Sequence, residues 1–339
     1  MNKLLTIFLT VVFVFALNAQ SQVVEPLKLV QTIPMPNLHD GDFDHFARDP
    51  QDNLLFLAAE ENSAVVVFDL RTNKLIHTIS DLKAPHSMVY RADIKRLFVV
   101  DGDAAEVKIY QTDSYKPVGS IKLEEDADSS TFDPYTKYMY VVNGGRGAHM
   151  AYSLISVIDT TAAKKLADIK IDSDFVEAMA IEKSGPRMFA NATTKNAVAV
   201  IDREKRTVIA TWSLAQEGKG NAAMAFDEAD HRLFVVTRDP GKVIVLDSNS
   251  GKILNSLPCV GHIDDAVYDP GSRRLYVAGL PFLYIYELRG PNRFRQIGQV
   301  PTSFRAVTGI LVPQLNRYYL AVNHHGDTPA QVQIYEVVR

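Results

Sequence analysis

The sequence predicts an all-β protein folded as a single seven-bladed β-propeller, and three observations carry that prediction. The first is a recurring apolar core: LLFLA (54–58), RLFVV (96–100), YMYVV (138–142), RMFAN (187–191), RLFVV (232–236), RLYVA (274–278) and RYYLA (317–321), spaced about 42 to 49 residues apart. A period of that length marks a repeat architecture whose unit cannot bury its apolar faces alone. The second is the turn that precedes each core: DPQDN, RADIK, DPYTK, EKSGP, DEADH, DPGSR and VPQLN. These are mostly rich in the Asp, Pro, Gly and Asn that tight turns select on steric grounds. The third is a β-branched run ending in an acidic residue and a further turn, as in VVVFDLRTNK (65–74), SVIDTTAAKK (156–165), AVIDREKRT (199–207) and VIVLDSNSGK (243–252). A closing strand such as LIHTI (75–79) or KILNSL (252–257) makes four short strands per repeat.

Taken from the start, the chain opens with a basic Met1-Asn2-Lys3, an apolar run from Leu4 to Leu17 interrupted only by threonine, and a small polar stretch from Asn18 to Gln22. That is the pattern of a secretory signal peptide. The expected organisation is therefore a signal peptide over 1–21 and a propeller over 22–339, with the mature chain periplasmic or secreted. The apolar run is shorter than the roughly twenty residues a bilayer requires, and no later segment is longer, so no membrane insertion is expected. The lone cysteine, Cys259, has no partner for an internal disulfide.

The segment LKLVQTI (27–33) precedes the first repeat, and the seventh repeat ends at IYEVVR (334–339), one strand short of four. Pairing the two closes the ring and removes the exposed sheet edges an open propeller would leave. A closed ring presents little edge for sheet pairing between copies, so a monomer is expected. The formal net charge of −4 gives no basis for nucleic-acid binding, which needs clustered Lys and Arg.

The blade offsets bring one residue per repeat to the start of each inner strand, around the central channel: Asp44, His86, Asp128, Glu177, Ala222, Asp264 and Val307. His45, Ser129 and Asp265 follow directly and thicken this polar collar. Two readings of it stand side by side. Carboxylates facing one another round a narrow axis repel unless a cation sits among them, which would make Asp44, His86, Asp128, Glu177 and Asp264 ligands of Ca²⁺ or, through the imidazoles, of a transition metal. Alternatively these residues fasten blades together by accepting backbone N–H bonds.

A second group shares that face. The third repeat carries an insertion, NGGRGAHMAYSL (143–154), between its second and third strands. Arg146 and His149 from it, with Arg238, Arg305, His324 and the adjacent His325, form a cationic counterpart to the acidic collar. A rim of both signs suits a small polar molecule such as a carboxylate or sugar acid. On the bland reading Gly144 and Gly145 serve a sharp turn and the histidines are solvated.

The strand and turn pieces YVVN (140–143), FVVD (98–101), FVVT (234–237) and YVAG (276–279), with the DP turns and the IDT or LDS third-strand ends, resemble the YVTN-type β-propeller repeat family, the YncE-like proteins. The resemblance covers residues 27–339 and implies the propeller fold and export. It does not single out a function, because that repeat occurs in propellers of several roles. The chain carries no G-x-S-x-G, C-x-x-C-H or H-E-x-x-H motif. Two functions follow as expectations. One is an exported binding module that captures a small polar ligand, a divalent metal or a protein partner at the channel mouth. The alternative is a metal-dependent lactonase-type hydrolase, with an ion on Asp44, Asp128, Glu177 and Asp264 and with His86 or His45 as general base.

Overall fold

The computed structural model describes residues 25–49, 51–290 and 292–338. The expected signal peptide lies outside these described residues. Within them the chain forms seven four-stranded antiparallel sheets. Their inner strands are Phe46–Asp49, Pro85–Arg91, Ser130–Asp133, Val176–Ile181, Lys219–Asp227, His262–Asp269 and Gly309–Val312. Each inner strand lies against the next, and the seventh returns to lie against the first. The recurring cores all fall on second strands, from Leu54–Ala59 in blade one to Arg317–Val322 in blade seven.

The second strands read as unbroken apolar runs because both their faces are covered. In blade one Leu55 and Leu57 join the cluster shared with blade seven, whereas Phe56 and Ala58 join the cluster shared with blade two. In blade two Leu97 and Val99 face blade one, and Phe98 and Val100 face blade three. Side-chain alternation thus feeds one apolar cluster per blade interface.

The turns have the chemistry expected of them. Asn53, Lys95, Lys137, His231, Arg273 and Asn316, each the last residue before a second strand, adopt the left-handed conformation with φ between 52° and 65°. The aspartate that ends a third strand folds the following turn by accepting backbone N–H bonds. Asp69 takes those of Arg71 and Thr72 at 2.9 and 2.8 Å, Asp159 those of Thr161 and Ala162 at 2.8 and 3.0 Å, and Asp247 that of Ser250 at 2.8 Å. Trp212, on the outer strand Thr207–Ser213, packs on Phe189 and also fills the space over Gly251, where a Cβ would sit 2.3 Å from the indole.

The ring closes as the leftover strands suggested. Leu27–Pro34 pairs antiparallel with Gln331–Val337, from Leu27 opposite Val337 to Pro34 opposite Gln331, and becomes the outer strand of blade seven. Only Leu27 and Ile33 of this strand are buried, so two side chains anchor it to the core and the backbone ladder does the rest. No helix among the described residues is long and apolar enough to cross a membrane.

Candidate ligand site at the channel mouth

Neighbouring residues of a regular strand point to opposite faces, so a pair such as Asp264-Asp265 could not both serve one channel. A β-bulge at the start of the inner strands lifts that restriction. In blade two Pro85 pairs with Asp101 but Met88 with Val99, which leaves His86 and Ser87 opposite a single residue. The same slip places Glu177-Ala178 in blade four and Asp264-Asp265 in blade six. In blade one the backbone of Ala58 bonds both Asp44 N and His45 O, at 3.0 and 3.1 Å, and in blade three Val142 bonds Asp128 N and Ser129 O at 3.0 and 2.9 Å. Bulges re-aim side chains in this way beside functional sites.

Both members of a bulge therefore reach the channel. His86, Asp128, Glu177 and Asp264 line an outer cavity of about 590 Å³, together with Asp44. Ser87, Ser129, Ala178 and Asp265 line a narrower chamber of about 240 Å³ further along the inner strands, with Met88, Met179 and Met224 on its walls. His45 borders both.

Asp44 is the centre of the collar. Its Oδ2 accepts from His86 Nδ1 at 2.6 Å, and its Oδ1 lies 3.3 Å from His45 Nε2. His45 donates from its other ring nitrogen to Asp265 Oδ1 at 3.0 Å, and Asp265 Oδ2 in turn accepts the Gly309 N–H at 2.9 Å. His86 Nδ1 is 3.7 Å from Asp128 Oδ1, and its Nε2 is 4.0 Å from Glu60 Oε1. Behind His86 there is no spare room: a Cβ on Gly102 would stand 2.8 Å from both His86 Nε2 and the Ala127 carbonyl oxygen.

The protonation states follow from this crowding. Burial works against charge on both imidazoles, yet the carboxylates outweigh it: Asp44 and Asp265 hold His45 well above the ordinary histidine value, and Asp44 raises His86 to about 9. Burial would lift Asp44 too, but the two imidazolium charges and the His86 hydrogen bond hold it below the usual carboxylate value. Asp128 lacks so close a partner, and burial reinforced by the Asp44 charge raises it to about 7. Burial likewise pushes Asp264 well up, with Asp44 and Asp265 adding to it. Burial also raises Glu60 and Asp42.

The structure brings together most of the residues expected at the mouth and separates others. Asp44, His86 and Asp128 offer ligand atoms within 4.8 Å of one another, and so do Asp44, His45 and Asp264. Glu177 was expected in a five-residue metal ring with Asp44, His86, Asp128 and Asp264. It lines the cavity, but Arg238 Nη1 binds it at 3.0 Å, and it belongs to neither set. His45, expected as a neighbour of that ring and as an alternative general base, belongs to the second set. Arg238 also lies 3.8 Å from Asp264, and Arg305 pairs with Asp42, so both arginines border the cavity with acidic partners.

Four members of the expected cationic rim stand apart from the cavity lining. Arg146 is exposed and stacks on Phe175, its guanidinium carbon 3.7 Å from the ring centre. His149 is exposed in a turn with φ 57°. His324 is half-buried, and the adjacent His325 stacks on Phe304 at 4.2 Å. Repeat offsets also missed Glu60, which enters from the 3₁₀ turn Glu60–Asn62 between the second and third strands of blade one. Its signal was the acidic pair Glu60-Glu61 directly after LLFLAA.

No family model matches the chain, and no curated protein matches it. Among solved structures the chain is similar to a chain of hydrazine synthase from Kuenenia stuttgartiensis, with TM-score 0.71 and 16% identity over 87% of this chain and 96% of that one. It is also similar to a chain of the mitotic checkpoint complex, with TM-score 0.75 and 14% identity over 100% of this chain and 99% of that one. At such identities the likeness is one of fold, and it agrees with a seven-bladed β-propeller.

Proposed function

We propose that this protein is a metal-binding propeller of exported type, which takes a divalent transition-metal ion at the channel mouth on Asp44, His86 and Asp128. The observation that carries the reading is the convergence of those three ligand atoms within 4.8 Å at the wall of a cavity of about 590 Å³. An imidazole beside two carboxylates suits ions such as Zn²⁺ or Mn²⁺, whereas Ca²⁺ favours six to eight oxygens. The cavity leaves room over the ion for a small polar molecule. Residues 1–21 support a place of action in the periplasm or outside the cell.

The test is a zinc titration of chelator-treated protein by competition with a chromophoric chelator, followed in parallel by thermal unfolding. Metal ligation requires a neutral imidazole and ionised carboxylates, and His86 and Asp128 hold protons to about 9 and 7. Uptake in weakly buffered solution at pH 7 is therefore expected to release protons. An ion at a hundred times its dissociation constant stabilises the fold by about 2.7 kcal/mol. Asp128→Ala and His86→Ala are expected to weaken binding at least about tenfold, whereas Glu177→Ala spares it. Absence of both zinc retention and a thermal shift would overturn the reading. Turnover of a lactone by the loaded protein, abolished by Asp128→Ala, would move the site from binding to hydrolysis.

A further inference from the structure

The two oxygens of Asp44 face different histidines: Oδ2 is 2.6 Å from His86 Nδ1, and Oδ1 is 3.3 Å from His45 Nε2. Each histidine brings a second carboxylate with it, Asp128 on one side and Asp264 on the other. The collar is thus two ligand sets of the same composition, one imidazole and two carboxylates each, with Asp44 common to both. Resting on the metal reading above, we propose that the channel mouth is a dinuclear centre in which Asp44 bridges two divalent ions, one held by His86 and Asp128 and the other by His45 and Asp264.

Geometry argues for the second ion independently of the first: Asp44, His45 and Asp264 bring ligand atoms within 4.8 Å of one another without using His86 or Asp128.

The second set is also held in place. Asp265, fixed by the Gly309 N–H at 2.9 Å, accepts from His45 Nδ1 at 3.0 Å. That leaves Nε2 facing Asp44 Oδ1 at 3.3 Å, the arrangement in which a carboxylate behind a metal-ligating histidine fixes its tautomer and direction. On the other side the Ser87 hydroxyl donates to the Asp128 carbonyl at 2.6 Å, and the bare Gly102 leaves space for the His86 ring. Asp265 and Ser87 are therefore positioning residues of the two halves. Blades one, two, three and six meet here only because each carries its bulge at the same height, so the bridge is a product of ring closure.

The experiment counts ions. Chelator-treated full-length protein is titrated with Zn²⁺ by chelator competition, and with Mn²⁺ while the electron paramagnetic resonance spectrum is recorded. The expected result is two equivalents per chain, with a Mn²⁺ spectrum attenuated and broadened by coupling through the shared carboxylate. Asp264→Asn and, separately, His45→Gln are each expected to reduce the count from two to one and to restore the six-line signal of an isolated ion. Circular dichroism melts of both variants verify that the propeller is intact. One equivalent in the wild type, unchanged in Asp264→Asn, overturns the dinuclear centre and leaves the single-ion reading standing. Two uncoupled equivalents, or a count insensitive to both variants, place the second ion elsewhere and also overturn it. No bound ion overturns both readings.

Discussion

The collar concentrates its tension on Asp128, the one member of the His86 set that burial and a neighbouring carboxylate act on with the same sign. In ion-free protein its carboxyl is raised from 3.8 to about 7, so the folded state keeps a proton that the unfolded chain has released, and stability falls as pH rises across that window. His86 adds a fall of the same sign. Its contribution is complete below the unfolded value of 6.5 and is lost as pH rises through about 9. Asp44, held low, acts oppositely and withdraws its contribution as pH drops below 3.8. Thermal unfolding in the presence of chelator is therefore expected to show greatest stability near pH 4, declining from there towards pH 9. Asp128→Asn should flatten the limb between pH 4 and 7 and raise stability at pH 8 by at least about 1 kcal/mol, since each tenfold difference in proton affinity between the folded and unfolded chain is worth about 1.4 kcal/mol. A variant with the wild-type profile would show that another group supplies this limb.

At this same scale the sequence was informative about position and less so about partnership. Repeat offsets were enough to bring Asp44, His86, Asp128, Glu177 and Asp264 to one cavity, because they depend only on the period. Glu177 reaches the cavity paired with Arg238, which comes from the second strand of blade five, a pairing no period encodes. Glu60 was missed for the converse reason: it is one hairpin's property, without a counterpart in the other repeats.

Individual elements were legible where steric rules act locally. Six of the seven turns before second strands end in a left-handed residue, and the sequence marks them by Asn, Lys, His and Arg rather than by glycine. An L-residue pays roughly 1 to 2 kcal/mol for that conformation. His231, exposed with φ 52°, is therefore a place where glycine relieves strain. His231→Gly is expected to stabilise by about 0.5 kcal/mol in urea denaturation, and His231→Val to destabilise by about 1 kcal/mol, because a β-branched side chain fits the left-handed region worst. Equal midpoints for the two variants would contradict the strain argument. The bulges were the illegible elements. Alternation arguments presuppose regular pairing, and the slip between Ile263 and Ala266 that brings Asp264 and Asp265 to one channel leaves no trace in residue type.

At the scale of the molecule, blade number and closure could be read early, because a repeat count and an unpaired strand at each end leave few ways to hide edges. The closing strand hangs on Leu27, 2% exposed, and Ile33, 7% exposed. Leu27→Ala is expected to cost about 2 to 4 kcal/mol. Removal of residues 25–34 should open the ring, bare the Gln331–Val337 edge and replace one cooperative transition by aggregation, as followed by light scattering. A truncated chain that melted cooperatively as a monomer would show that six complete blades and a partial seventh suffice.

The first of the described strands thus waits for the last of them. Leu27 finds Val337 only when all seven blades are available, a distant contact and a slow one to search for. A ribosome still holding Gln331–Val337 holds a chain that can stack blades but cannot lock them. Until release, the Gln331–Val337 edge and its mate both stay unsatisfied, and a folding helper that shields strands would have its natural point of action there.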